Sequence, residues 1–140
     1  MKTKAWSAIL IVLLVVPAAY PVGAQEAPTD LPRVSMGVGT DIDRQTRTLV
    51  GAADTFTVAA DDTLLLWCYT LLENLDVPTH VTHAWFHEGR TEAMVALDVT
   101  ASWYRTWSNK RILSTQTGPW EVKVLDADGT VLGASSFEVR

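Results

Sequence analysis

Hydrophobic and polar residues alternate with a period of two along most of the chain beyond residue 33. From Val34 to Ile42, apolar residues and one threonine take every second position, with small or acidic residues between them. Alternation over about four to eight residues is typical of a strand with one buried face. The same pattern recurs in six further segments: 54–59, 79–87, 91–100, 102–110, 120–124 and 131–139. The pattern therefore predicts a series of half-buried strands.

One segment departs from this alternation, because the stretch from Thr63 to Leu72 is apolar on both of its faces. Such a run fits either a buried helix or a strand at the centre of a sheet. Its aromatic residues, and the strand patterns on either side, favour the central strand. We expect Trp67 of this strand to lie in the core. If the outer side chains are exposed, they form a patch for a partner.

Short polar segments with turn chemistry separate the predicted strands. Glu88-Gly89 and the stretch from Asp126 to Gly129 predict tight hairpins, because glycine adopts a positive φ at no steric cost. We expect loops over 43–52 and 112–119, and no helix in the mature chain. About eight short strands at this spacing predict an all-β fold, an antiparallel β-sandwich of the immunoglobulin-like class.

The first 24 residues have the pattern of a secretory signal peptide. Two lysines precede an apolar stretch, and small residues occupy the −3 and −1 positions before a cleavage site after Ala24. The alternative is an uncleaved membrane anchor, which two prolines in the second half of the segment disfavour. We expect cleavage, a flexible lead-in over 25–33 and one β-sandwich domain over 34–140. The mature protein is then periplasmic or secreted, without stable membrane insertion.

The charge balance excludes several classes of partner. The chain carries 16 acidic and 11 basic residues, a net charge of −5. Removing Lys2 and Lys4 with the signal peptide leaves nine basic residues against the same 16 acidic ones. With no basic run, this balance predicts no binding to nucleic acid or anionic lipid. The single cysteine, Cys68, lies in an apolar run, so we expect a small buried residue without a disulfide.

No enzyme motif is present in the sequence. It has no Gly-x-Ser-x-Gly elbow, no phosphate-binding loop and no dinucleotide-binding glycine pattern. No nucleophile, base and orienting residue can be named together, so we expect neither catalysis nor a cofactor. His80, His83 and His87 suggest zinc, but on a strand His83 and His87 lie ~13 Å apart and His80 faces the other way. We therefore expect no metal site, and a metal-dependent or hydrolytic enzyme using these histidines is the alternative.

The best candidate for ligand binding is the segment Ser102 to Lys110, Ser-Trp-Tyr-Arg-Thr-Trp-Ser-Asn-Lys. As a strand it places Trp103, Arg105 and Trp107 on one face. A guanidinium stacked on an indole contributes ~0.5–1 kcal/mol at an exposed site. Such a ladder either stiffens the sheet or offers a flat platform to a sugar ring or a partner protein. The tryptophans on apolar faces are expected in the core: Trp67, Trp85 and Trp120.

Four motifs follow one another in the second half of the chain. They are His83-x-Trp85 with Gly89, then Trp103-Tyr104-Arg105-Thr106-Trp107-Ser108-Asn109-Lys110, then Gly118-Pro119-Trp120-Glu121-Val122, then Asp126-x-Asp128-Gly129-x-Val131-Leu132-Gly133. In this order they resemble the bacterial domain of unknown function 2914 family, with similarity extending from Val34 to Arg140. Members of that family often carry Asp-Arg followed by Glu-Pro, where this chain has Asp43-Arg44 followed by Gln45-Thr46. The resemblance implies a compact extracytoplasmic β-rich module and implies no catalytic residues.

These observations predict a non-enzymatic exported binding or protein-interaction module of the bacterial envelope. Its expected site combines stacking tryptophans, cations that pair with an anion or hydroxyls, and a histidine that adds a hydrogen bond: His83, Trp85, Trp103, Arg105, Trp107 and Lys110. The expected partner is an envelope protein or a carbohydrate, and a carboxylated sugar or an acidic peptide suits the basic and aromatic strip. A purely structural accessory domain is the remaining alternative.

Overall fold

The structure, a computed structural model, describes residues 31–140, so the predicted signal peptide and most of the lead-in lie outside the described residues. These residues form ten strands and no helix. The strands are β1 (Arg33–Gly39), β2 (Asp41–Asp43), β3 (Thr48–Val50), β4 (Thr55–Phe56), β5 (Thr63–Glu73), β6 (Thr79–His87), β7 (Arg90–Val99), β8 (Trp103–Leu113), β9 (Gly118–Leu125) and β10 (Val131–Val139). Over this range no helix is long and apolar enough to cross a membrane.

Eight of the strands form two sheets that pack face to face. The three-stranded sheet has the order β1-β5-β8, and the five-stranded sheet has the order β4-β10-β9-β6-β7. Neighbouring strands are antiparallel except for β4, which runs parallel to β10. The adjacent strands β6, β9 and β10 correspond to strands C, F and G of immunoglobulin domains, and β1, β5 and β8 correspond to A, B and E. The predicted immunoglobulin-like β-sandwich is confirmed.

The two remaining strands, β2 and β3, pair as a small hairpin that the alternation pattern did not predict. The expected strand over 34–42 is interrupted after Gly39, and the expected loop over 43–52 contains β3. The Asp43 carboxylate orders the turn by accepting the backbone N–H groups of Gln45 at 2.8 Å and Thr46 at 3.0 Å. These hydrogen bonds, first that of Thr46 and then that of Gln45, hold the pKa of Asp43 below its ordinary value.

The second expected loop, over 112–119, is also shorter than predicted. Strand β8 continues to Leu113, where the inward-facing Ile112 is fully buried, and β9 begins at Gly118. The intervening turn is closed by the Gln116 N–H, which donates to the Leu113 carbonyl at 2.9 Å. Ile112, the first residue of the predicted loop, therefore belongs to strand β8.

The core lies between the two sheets and is built from alternate inward-facing residues. Trp85 and Trp120 are 0% and 2% exposed, so their predicted place in the core is confirmed. The Trp120 ring stacks on the rings of His87 and Phe137, with centroids 4.6 Å and 6.1 Å away. Cys68 is also fully buried, and desolvation raises the pKa of its thiol to about 12, which keeps it neutral and unreactive.

Trp67 does not lie in this core, so that prediction was wrong. It alternates with the buried Leu66 and Cys68 on β5, and its half-buried indole faces outward from the three-stranded sheet. Because β5 is apolar on both faces, its apolar run did not reveal which of its aromatic residues points inward.

Two glycines on the outer face of β1 leave room for the β2–β3 hairpin. A Cβ on Gly39 would lie 2.5 Å from the Val50 carbonyl oxygen, and one on Gly37 would lie 3.1 Å from Leu49 Cδ2. Ile42, which pairs with Leu49 across the hairpin, is only 3% exposed. The hairpin therefore packs directly against the backbone of β1 and covers part of the sheet's outer face.

We predict that Gly39→Ala lowers the free energy of unfolding by about 1–3 kcal/mol, because the new methyl group must displace the backbone of the hairpin. Urea denaturation measures the change. Ser35→Ala, at an exposed position on the same face of β1, is the control and should stay within about 0.5 kcal/mol of the unmodified protein. Equal stabilities of the two variants would contradict this account of the hairpin.

Candidate ligand-binding face

The structure separates the six residues expected to form one ligand site. Trp103, Arg105 and Trp107 alternate along the outer face of β8, as the period of two predicted. His83 and Trp85 are 0% exposed and face the interior between the sheets. They therefore do not share a surface with the β8 residues.

Lys110 is the sixth of these residues, and it also lies apart from the β8 ladder. It is three residues beyond Trp107, so the period of two places it on the inner side of β8, where it pairs with the buried Leu66. Its ammonium donates to the Arg111 carbonyl at 2.8 Å. The outer face thus retains three of the six expected residues.

Two arginines from the β2–β3 turn join the β8 ladder. The Arg44 guanidinium lies 5.2 Å from the ring centroid of Trp67 and 5.6 Å from that of Trp107. Arg47 also lies over the Trp107 ring, at 5.6 Å. On the same face, Arg105 stacks on Trp103 at 4.7 Å. We call this set the arginine–tryptophan face: Arg44, Arg47, Trp67, Trp103, Arg105 and Trp107.

Reciprocal hydrogen bonds hold the hairpin turn against β8. Arg105 Nη1 donates to the Thr46 carbonyl at 3.1 Å, and Arg47 Nη2 donates to the Arg105 carbonyl at 3.2 Å. Each arginine thus contacts the backbone of the other segment while its guanidinium stacks on an indole. This arrangement restricts the guanidinium groups before any ligand binds, which reduces the entropy that binding would cost.

Arg44, Arg47 and Trp67 were missed as site residues because their contacts depend on the hairpin. Arg47 is 58 positions from Arg105 in sequence, so no local periodicity connects them. One signal was present in the sequence: Gly37 and Gly39 occupy alternate positions of one strand. Two such glycines leave a face without side chains, on which another segment can pack closely.

The arginines of this face have no acidic partner in the described part of the chain. Within residues 31–140, only Lys123 with Glu121 and Arg140 with Glu138 approach within 4.0 Å as ion pairs. Arg44 and Arg47 are exposed, and Trp103 is 51% exposed. In a chain with 16 acidic and 11 basic residues, this face is therefore a local cationic surface.

His83 belongs instead to a hydrogen-bond network that connects the two sheets. Trp85 Nε1 can only donate, and it donates to Ser108 Oγ at 3.3 Å; that hydroxyl donates in turn to His83 Nδ1 at 2.7 Å. On the other side, Thr70 Oγ1 donates to the Thr106 carbonyl at 3.4 Å and accepts from His83 Nε2 at 2.6 Å. Satisfying every group selects the tautomer with its proton on Nε2.

This network holds His83 in the neutral form. Burial lowers the pKa of His83 from the ordinary value of 6.5 to about 4. The neutral ring already uses one nitrogen as a donor and the other as an acceptor, so protonation would also break the bond that Ser108 donates. The network is buried between the two sheets and connects them through hydrogen bonds, so its role is structural.

The other two histidines lie away from His83. His80 is exposed on the outer face of the five-stranded sheet, and His87 is buried beside Trp120, donating from Nε2 to the Thr117 carbonyl at 2.8 Å. Over residues 31–140, no three side chains of histidine, cysteine, aspartate or glutamate come together as a metal-binding group. His80, His83 and His87 therefore do not form a single metal site within residues 31–140.

A family profile described as "Protein of unknown function (DUF2914)" matches residues 78–139. The match runs from β6 to β10 and includes the β8 ladder, so the family resemblance predicted from the motifs is confirmed for this part of the chain. The hairpin arginines and Trp67 lie outside the matched residues. No curated protein matches this chain.

Two solved structures resemble the chain at low sequence identity. An immunoglobulin-like protein from Pseudomonas aeruginosa is 12% identical with a TM-score of 0.45, and the alignment covers 81% of this chain and 100% of that chain. A β-glucosidase from Listeria innocua is 8% identical with a TM-score of 0.39, covering 79% of this chain and 16% of that chain. Both TM-scores are below 0.5, and we infer no function from them.

We predict that acid removes the stability that neutral His83 provides. Because its pKa is lowered on folding, the unfolded state binds more protons between pH 6.5 and about 4. This contribution is complete above pH 6.5 and decreases as the pH falls to about 4, with a total loss of about 3 kcal/mol. Urea denaturation at a series of pH values in this range measures the loss.

His83→Gln is expected to be less stable at pH 7 but to lose less stability on acidification, because the titrating ring is gone. The exposed His80→Gln is the matched control and should retain the full acid dependence. An unchanged acid dependence in His83→Gln would contradict the assignment to His83.

Proposed function

We propose that this protein is a non-enzymatic exported interaction module of the bacterial envelope, and that its arginine–tryptophan face binds a partner presenting carboxylate groups. One observation carries the proposal. In an acidic chain, three arginines are stacked on three tryptophans, and none of them lies within 4.0 Å of a carboxylate among residues 31–140.

The chemistry of the face suits a carboxylate ligand. An arginine presents its N–H groups in a planar fork that matches the two oxygens of a carboxylate. An indole that stacks on a guanidinium covers one of its flat faces. The N–H groups, which point outward from the edge, are left for such bonds. The half-exposed Trp103 adds an apolar surface beside Arg105, and tryptophan and arginine are both enriched among the residues that contribute most to binding energy at protein interfaces.

A purely structural accessory domain is the competing function. The cation–π contacts and the hairpin hydrogen bonds stabilise the outer face by themselves, so the ladder alone is compatible with stiffening. Binding and stability measurements on the same variants separate the two functions. If the face only stiffens the sheet, its substitutions change the free energy of unfolding but no binding affinity.

We predict that the purified protein binds polygalacturonate and polyglutamate, two carboxylate probes, and does not bind neutral dextran. Arg44→Ser/Arg47→Ser is expected to weaken binding roughly 10- to 100-fold, since two charge-assisted hydrogen bonds are removed. Arg90→Ser, at an exposed position on β7 of the other sheet, is the control and should bind normally. Isothermal titration calorimetry or biolayer interferometry provides the affinities. Absence of carboxylate binding in the unmodified protein would refute the proposal.

We also predict that Trp103→Ala weakens polyglutamate binding several-fold while changing the free energy of unfolding by less than about 1 kcal/mol, because the side chain is 51% exposed. Met94→Ala removes a 61% exposed apolar side chain from the five-stranded sheet and is the control for surface truncation. Unchanged binding by a folded Trp103→Ala variant would favour the structural accessory domain.

A further inference from the structure

The outer face of the five-stranded sheet carries a groove of about 690 Å³ on the opposite side of the sandwich from the arginine–tryptophan face. Its charged lining residues are four carboxylates from four segments and one lysine, which lies beside the Phe86 ring: Asp54, Glu88, Glu121, Glu138 and Lys123. We call it the acidic groove. Its charge is opposite in sign to that of the arginine–tryptophan face.

The ion pairs that two of the groove carboxylates form do not neutralise the groove. Lys123 lies 3.4 Å from Glu121, and Arg140 lies 3.2 Å from Glu138, in both cases with solvent-exposed side chains. Such exposed ion pairs contribute only about 0–1 kcal/mol to stability. Asp54 and Glu88 have no cation within 4.0 Å among the described residues, so the groove retains excess negative charge.

The geometry of a sandwich prevents these two surfaces from meeting within one molecule. Each is the outer face of its own sheet, and the sheets pack through their inner faces about 10 Å apart. The cationic and the acidic surfaces therefore point in opposite directions. They can meet only when two molecules come together.

We propose that the arginine–tryptophan face of one molecule docks onto the acidic groove of a second copy of this chain. This inference rests on the proposed function, because it identifies the carboxylate-bearing partner of that same face. The contact joins two different surfaces, so it is heterologous and leaves one free face and one free groove at the ends of every assembly. Head-to-tail association can therefore continue beyond a dimer.

Charge complementarity determines how this association responds to salt. The Debye length falls from ~10 Å at 0.1 M salt to ~3 Å at 1 M, and contacts between exposed charges weaken accordingly. In analytical ultracentrifugation of the full chain at low salt, the weight-average mass is expected to increase with concentration beyond that of two chains. In about 1 M salt it should return toward that of one chain.

Two variants that each disable one surface provide the specific test. Arg44→Ser/Arg47→Ser removes cations from the face, and Glu121→Gln/Glu138→Gln removes carboxylates from the groove. Each variant alone is expected to be monomeric at low salt. An equimolar mixture should form dimers and stop there, because each variant keeps the one surface that the other has lost. Asp61→Asn/Asp76→Asn neutralises two exposed acids outside the groove and should associate like the unmodified protein.

Circular dichroism confirms that each variant is folded, and Asp54→Asn/Glu88→Gln replaces the groove variant if that variant does not fold. A monomeric unmodified protein at low salt and high concentration would overturn the proposal, as would a groove variant that associates normally. Polyglutamate binding by the unmodified protein distinguishes the two proposals. If the unmodified protein binds the polymer but stays monomeric at low salt, only the second copy as partner is refuted, whereas absence of polymer binding refutes the binding function of the face.

Discussion

Strand β5 is apolar on both of its faces, and the need to bury both of them organises the molecule. Its inner residues, including Leu66 and Cys68, build the core against the five-stranded sheet. Its outer residues would leave an apolar strip in water, and the β2–β3 hairpin covers part of that strip. The hairpin reaches the sheet because Gly37 and Gly39 present backbone alone, and the Asp43 carboxylate orders its turn. One strand thus requires both the sandwich and its additional hairpin.

The same covering hairpin creates the surface to which we assign the proposed binding function. The turn that closes it carries Arg44 and Arg47 onto indoles of β5 and β8, where stacking restrains the guanidinium groups without an acidic partner in the described residues. An acidic domain thereby presents a cationic face on one sheet and a negatively charged groove on the other. The two outer faces of the sandwich therefore differ in charge. This difference connects the proposed binding function with the proposed association between copies.

The interior shows how the two sheets are joined without a disulfide between them. The chain has a single cysteine, so no disulfide can form within it. In antibody domains a disulfide joins the two sheets beside a buried tryptophan of strand C. Here Trp85 occupies that strand, and the chain of hydrogen bonds through Ser108, His83 and Thr70 connects β6 with β8 and β5. A fully satisfied polar network of this kind specifies one alignment of the sheets, since any displacement would leave a buried donor unpaired. The histidine that suggested a ligand site in the sequence is thus part of the framework.

The sequence by itself determined most of the strands and most of their faces, because a side-chain period of two is a local property of extended chain. It placed Trp103, Arg105 and Trp107 together, predicted the hairpins at Glu88-Gly89 and at 126–129, and identified the β-sandwich. Only the tertiary structure decided which face of β5 is inside, that His83 lies in the core, and that Arg47 meets Arg105 from 58 positions away. Those outcomes depend on which surfaces pack against each other, and local alternation carries no information about that choice.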